Sequence, residues 1–98
     1  MKPYIAIVSK DADSAYGIVF PDAPGCFSAA DNIDDVFAMA SEALSGWTQL
    51  MRDEGHMLPP RRDLQQLRDD PDLEDLWREA VLVIAVPAPK PATETRAA

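Results

Sequence analysis

The chain is poor in the residues that much enzyme chemistry requires. Its 98 residues hold one cysteine, Cys26, and one histidine, His56. A lone cysteine excludes an internal disulfide, which fits a reducing compartment. A lone histidine leaves Cys26 a single candidate activating base. Basic residues are also scarce, with nine Lys and Arg against 17 Asp and Glu and a net charge of −8. Phosphate binding needs clustered Lys and Arg, so direct nucleic-acid binding by this chain is not expected. No apolar run is long enough to cross a bilayer. The N-terminus opens directly on a strand pattern, without a charged-then-apolar leader. These absences point to the cytoplasm and away from a membrane. Glycine-rich phosphate loops, nucleophile elbows and internal repeats are absent as well.

What is present has an ordinary globular balance, 47% apolar, and a length that suits one domain. Tyr4 to Ser9 is rich in β-branched and aromatic residues and reads as a strand. A polar turn, Lys10 to Ser14, leads to a second strand, Ala15 to Phe20, whose alternation places Tyr16, Ile18 and Phe20 on one face. Pro21-Asp22-Ala23-Pro24-Gly25 follows, with Pro24-Gly25 suited to the centre of a type II turn. Cys26 to Ala29 then returns as a third strand of an antiparallel meander.

The period changes at Asn32, a good N-cap, with Asp35 placed to complete a capping box. Asp34 and Asp35 oppose the helix dipole in the first turn. Val36, Phe37, Ala40, Ala43, Leu44, Trp47, Leu50 and Met51 recur at helical spacing, as one stripe that lies on the sheet. Gly46 inside this helix suggests close packing. Gly55 and Pro59-Pro60 end it. Asp63 caps a short helix carrying Leu64 and Leu67, and Asp70-Pro71 starts another with Leu73, Leu76 and Trp77. Ala80 to Val86 is apolar throughout, which predicts a strand covered on both faces or lying inside a sheet. Its expected partner is the first strand, through a parallel crossover. Residues 87–98, rich in Pro, Ala and Thr, read as a disordered tail or linker. The fold class expected is α+β, a β-β-β-α-β two-layer domain.

The segment Tyr16-Gly-Ile-Val-Phe-Pro-Asp-Ala-Pro-Gly-Cys-Phe-Ser28 resembles the HicB antitoxin family. The motif residues are Phe20, Pro21, Asp22, Pro24, Gly25 and Cys26, followed by a helix opening at Asn32; Gly55 and Pro59-Pro60 also fall where the family has a glycine and a proline-rich turn. The resemblance spans roughly residues 3 to 86. It implies a partial RNase H-like fold and an antitoxin that binds a small basic HicA toxin, an mRNA-cleaving ribonuclease, so as to block its active site. It also implies dimers or higher homo-oligomers. Many family members continue into a C-terminal DNA-binding domain; this sequence stops at Ala98, inside what resembles the linker, either as a protein that lacks that domain or as a fragment cut there, so promoter binding is not expected of this chain.

An RNase H-like resemblance raises the question of a two-metal nuclease, which needs convergent carboxylates, usually with one in the first strand. Tyr4 to Ser9 has none; Asp11 and Asp13 lie in the following turn. His56 reads as an exposed loop residue and Cys26 as a small buried one. No catalytic residue, metal site or cofactor is expected. Partner contact is expected around the Tyr16 to Ser28 hairpin, at Pro21, Asp22, Pro24 and Gly25. A second contact region is expected on the acidic stretch, at Asp72, Glu74 and Asp75, where carboxylates would meet a basic partner. The plainer reading of that stretch is a solvated helix face. Trp47 and Trp77 read as core, with a protein interface as the alternative. An orphan oligomeric or small-molecule-sensing domain without a toxin is the alternative function; a metal-dependent nuclease ranks last.

Overall fold

The computed structural model describes residues 3–88. Three strands, β1 (Tyr4–Ser9), β2 (Tyr16–Val19) and β3 (Phe27–Ala30), form the meander. The main helix, α1 (Val36–Asp53), follows a 3₁₀ turn over Ile33–Asp35. Two short helices, α2 (Leu64–Arg68) and α3 (Glu74–Glu79), lead into β4 (Ala80–Val86). The sheet order is β3-β2-β1-β4, and every neighbouring pair is antiparallel. The predicted partner of the last strand is therefore right, but its direction is not. The segment between Gly55 and Ala80 carries two helices, enough chain to travel back along the sheet, so β4 enters from the Ser9 end and leaves beside Tyr4.

One face of the sheet carries Tyr4, Ala6, Val8, Ile18 and Phe20, which pack with Val36, Ala40 and Leu44 of α1 in a single buried cluster. The helix stripe is narrower than its sequence pattern. Val36, Ala40, Leu44 and Thr48 form its buried line at intervals of four residues. Phe37 and Leu50 flank that line and are 52% and 53% exposed, against expectation. Thr48 takes a core position because its hydroxyl donates to the Ser45 carbonyl at 3.0 Å, which satisfies it inside the helix. Gly46 is exposed, and a Cβ there would meet nothing within 4 Å, so close packing does not account for it.

The helix ends follow local chemistry. Asn32 does not cap with its side chain; its carbonyl accepts from Asp35 N–H at 3.1 Å in the tighter 3₁₀ turn, so the expected capping box is not formed. At the other end Gly55, at φ 74°, closes a Schellman motif: His56 N–H donates to the Met51 carbonyl and Gly55 N–H to that of Arg52. Asp63 and Gln66 form a complete capping box on α2, and Asp70 caps the turn that Pro71 begins.

Strand β4 lies at the sheet edge rather than inside it. Its burial alternates, with Leu82 and Ile84 packed on the core while Val81 and Val83 stand 56% and 36% exposed on the opposite face. Ile7, directly across from Val83 and Val19, shares that opposite face yet is fully buried, and α3 packs on β1 there. Helices α2 and α3 thus shield the centre of this face and leave its edges open. Ala88 packs against the core, and residues 89–98 of the expected tail lie outside the described residues.

Leu44→Ala removes a fully buried side chain and is expected to lower stability by about 2–5 kcal/mol. Phe37→Ala is expected to change it by less than about 1 kcal/mol, because half the ring is already in water. Urea unfolding followed by far-UV circular dichroism checks both.

Candidate partner-binding surface

The hairpin between β2 and β3 is built from consecutive tight turns. Phe20 is buried, and its carbonyl accepts from Ala23 N–H at 3.1 Å. The Ala23 carbonyl accepts from Cys26 N–H at 2.9 Å across Pro24-Gly25, and Gly25 sits at φ 86°. Proline before a positive-φ glycine is the type II turn expected from the sequence. Ala23 and Cys26 point inward, while Pro24 and Gly25 form the exposed tip.

Two distant residues hold this tip. The indole Nε1 of Trp47, on α1, donates to the Pro24 carbonyl at 2.9 Å, and its ring meets that of Tyr4 edge-on at 6.0 Å. From the other direction comes Arg62, which the sequence did not single out. Its backbone N–H donates to Asp22 Oδ2 at 2.6 Å, and its Nε and Nη2 approach Oδ1 at 2.9 Å each. Its Nη1 bonds Asp70 Oδ2 at 2.8 Å. A planar guanidinium suits this double role, since its donors diverge in a fixed fork. The Asp22 side chain is only 10% exposed. The sequence places Asp22 among the partner contacts; in the structure its carboxylate ties the hairpin to the helical segment.

Through Asp70 the same network reaches the acidic stretch. Asp70 also accepts from Asp72 N–H at 2.9 Å. Arg62 chiefly, and this backbone donor next, hold the Asp70 carboxyl below the usual carboxylate range. Asp72, Glu74 and Asp75 are exposed around the start of α3, where Arg78 pairs with Glu74 at 3.3 Å and Asp75 at 2.8 Å. Trp77 Nε1 donates to the Leu67 carbonyl at 3.0 Å and so locks α3 to α2. The two expected contact regions are thus joined by one chain of hydrogen bonds, Asp22–Arg62–Asp70–Asp72.

Beside the hairpin, a shallow groove runs between β3 and α1, lined by Gly25, Phe27, Met39, Gly46, Trp47 and Leu50. Phe27 borders it through the edge strand, but its side chain, 71% exposed, stands on the opposite face of the sheet, in register with Val19 and Ile7. Sequence reading missed this surface because Leu50 looks like a core residue in isolation.

The description "HicB_like antitoxin of bacterial toxin-antitoxin system" belongs to a family model that matches residues 4–95. The chain belongs to that family. An uncharacterized 14.9 kDa protein from the rep-hol intergenic region of Haemophilus phage HP1 is 30% identical over 69 residues, covering 70% of this chain and 52% of that protein. The chain thus spans about half the length of this curated relative. Among solved structures, the HicA3 and HicB3 toxin-antitoxin complex contains a chain matched at TM-score 0.66 and 30% identity, over 85% of this chain and 93% of that one. The Burkholderia pseudomallei antitoxin HicB matches at TM-score 0.71 and 26% identity, over 88% of this chain and 62% of that one. The N-terminal domain of the same antitoxin matches at 0.69 and 27%, over 92% of this chain and all of that domain.

The other reactive groups of this HicB-like chain are placed apart. Cys26 is buried, and burial pushes its thiol up to about 11. His56 is exposed after the helix end, 3.5 Å from Glu54. Among the described residues, no three His, Cys, Asp or Glu side chains are grouped to hold a metal ion.

Asp22→Ala leaves the Arg62 fork half-unmatched and is expected to lower stability by about 1–3 kcal/mol, read from the urea midpoint. A carboxyl whose pKa is depressed by folding contributes stability above its unfolded pKa and loses it as pH falls through the folded one. The stability difference between pH 7 and pH 3 should therefore shrink in Asp70→Asn. The Cys26 thiolate is scarce at neutral pH, so iodoacetamide should alkylate the native protein at least about tenfold more slowly than the unfolded chain, as mass spectrometry would report.

Proposed function

We propose that this chain is the toxin-binding unit of an antitoxin, which neutralises a HicA-like mRNA-cleaving protein by covering its active site. The observation that carries this reading is the match, over nearly all of either chain, to a chain of a HicA–HicB complex. Family membership and a net charge of −8 support it, because an acidic surface steers a basic, RNA-binding partner. The chain acts by binding rather than by catalysis, in the cytoplasm, and self-associates; direct nucleic-acid contact is not assigned to it. Residues 1–86 form the binding domain, and 87–98 a tail or linker.

The proposed contacts are Pro21, Pro24 and Gly25 at the hairpin tip and Asp72, Glu74 and Asp75 on the acidic stretch. Asp22 serves the same surface indirectly, as the anchor that positions the tip. The adjoining groove at Met39, Trp47 and Leu50 offers the apolar centre that an interface needs, with the acidic residues as its charged rim.

Co-expression with a HicA-like protein tests the reading: the two should co-purify, and this chain should relieve the growth arrest that the partner causes. Absence of both sinks it. Reversing Glu74 and Asp75 together to Lys is expected to slow association roughly tenfold at low salt, with the gap closing as salt is raised. Stopped-flow or biolayer interferometry measures this.

A further inference from the structure

We infer that the toxin-like partner docks by strand addition: an extended, basic segment of it pairs with the free edge of β3 and lies in the groove between β3 and α1, passing closest at Gly46. This rests on the toxin binding proposed above and names the element that carries it.

Hydrogen-bond alternation sets what the β3 edge offers. Phe20 N–H donates at 3.3 Å to the carbonyl of Cys26, the residue opposite it in register. Along an antiparallel ladder, hydrogen-bonded pairs alternate with non-bonded ones. The bonded pairs of β2 and β3 are therefore Ile18 with Ser28 and Tyr16 with Ala30. The peptide N–H and C=O groups of Phe27 and Ala29 point the other way, out of the sheet edge. They have no backbone partner among the described residues. An extended segment laid alongside would satisfy both. Directly opposed residues share a face, so the added residue opposite Ser28 points to the α1 side, into the groove. Its two neighbours lie beside Phe27 and Ala29 on the open face of the sheet.

On the helix side this groove is lined by Met39, Ala43, Gly46, Trp47 and Leu50. Gly46 is the residue that the single chain leaves unexplained. It stands inside α1, where only proline is less favourable than glycine. It is exposed, and a Cβ there would meet nothing within 4 Å. Nothing within the chain calls for a missing side chain at this position, whereas the close passage of another backbone does.

Charge selects the occupant. From Asp11 to Met51 the chain has seven Asp and Glu and no Lys or Arg. That stretch builds β2, the hairpin, β3 and nearly all of α1. Glu42, exposed, is the one charged residue that lines the groove. A Lys or Arg opposite Ser28 can lay its apolar stem on Met39 and Ala43 and carry its charge toward Glu42. An acidic segment finds no counter-charge in the lining. A second copy of this chain, with its net charge of −8, suits the groove less than a basic partner does.

Binding to a purified HicA-like protein, with two variants and amide exchange, decides. Gly46→Gln places a long neutral side chain in the groove and improves the helix. Its urea midpoint should rise while its affinity for the HicA-like protein falls at least about tenfold. Glu42→Lys should weaken binding at low salt, with the loss shrinking as salt is raised. In the complex, amide exchange followed by NMR should slow at least about tenfold at Phe27 and Ala29, whereas Ser28 and Ala30 are protected already in the free chain. A complex whose Phe27 and Ala29 amides exchange as in the free chain, or one that tolerates Gly46→Gln, overturns strand addition and leaves toxin binding standing. Unchanged affinity in Glu42→Lys overturns the basic occupant. No complex with the unaltered chain overturns toxin binding and strand addition together. Should Gly46→Gln lower the urea midpoint instead, the amide pattern alone decides.

Discussion

The arrangement of this molecule hangs on one guanidinium. Arg62 lies in the extended stretch after the main helix, yet it binds a carboxylate 40 residues earlier and another eight residues later. Three pieces of chain with little regular structure between them, the hairpin tip, the connecting stretch and the start of α3, are held in one place by its fork. Apolar burial of α1 on β1 and β2 supplies the cohesion of the core. It does not say where the hairpin or the short helices should sit. A partly buried, geometrically demanding pair can, because few other positions satisfy all its donors.

Much of the fold was legible in the sequence because its signals are local. β-Branched composition, alternation and the Pro-Gly turn marked the three meander strands, helical spacing marked α1, and Asp63, Asp70-Pro71 and Gly55 marked helix boundaries through capping chemistry that acts within a few residues. Two of the departures share a cause. Periodicity shows which residues are apolar but not how wide the facing surface is, so Phe37 and Leu50 were drawn into a stripe that the sheet is too narrow to cover. The same limit made β4 look interior. A run of seven apolar residues reads identically whether a sheet, a helix or another molecule covers it. Its direction depended on how far the intervening helices carry the chain, which no residue of β4 encodes.

The surface was legible in part. The motif residues identified the family, and Pro24-Gly25 took up the predicted turn. The role of Asp22 was hidden because its partner is remote in sequence and belongs to a residue type that usually stays in solvent. Trp47 was read as core, and it does pack there, but its indole N–H also reaches the Pro24 carbonyl. An aromatic residue with a polar edge can fill a core and clamp a loop at once.

The double tether on the hairpin has a consequence for recognition. Most binding loops sample many shapes and must be ordered when a partner arrives, which subtracts from affinity. Here an indole on one side and a guanidinium on the other have already removed that freedom. The tip therefore behaves less as a loop than as a rigid corner of the sheet. Selection among partners would then rest on shape rather than on adaptation, with only the exposed side chains of α3 left to adjust.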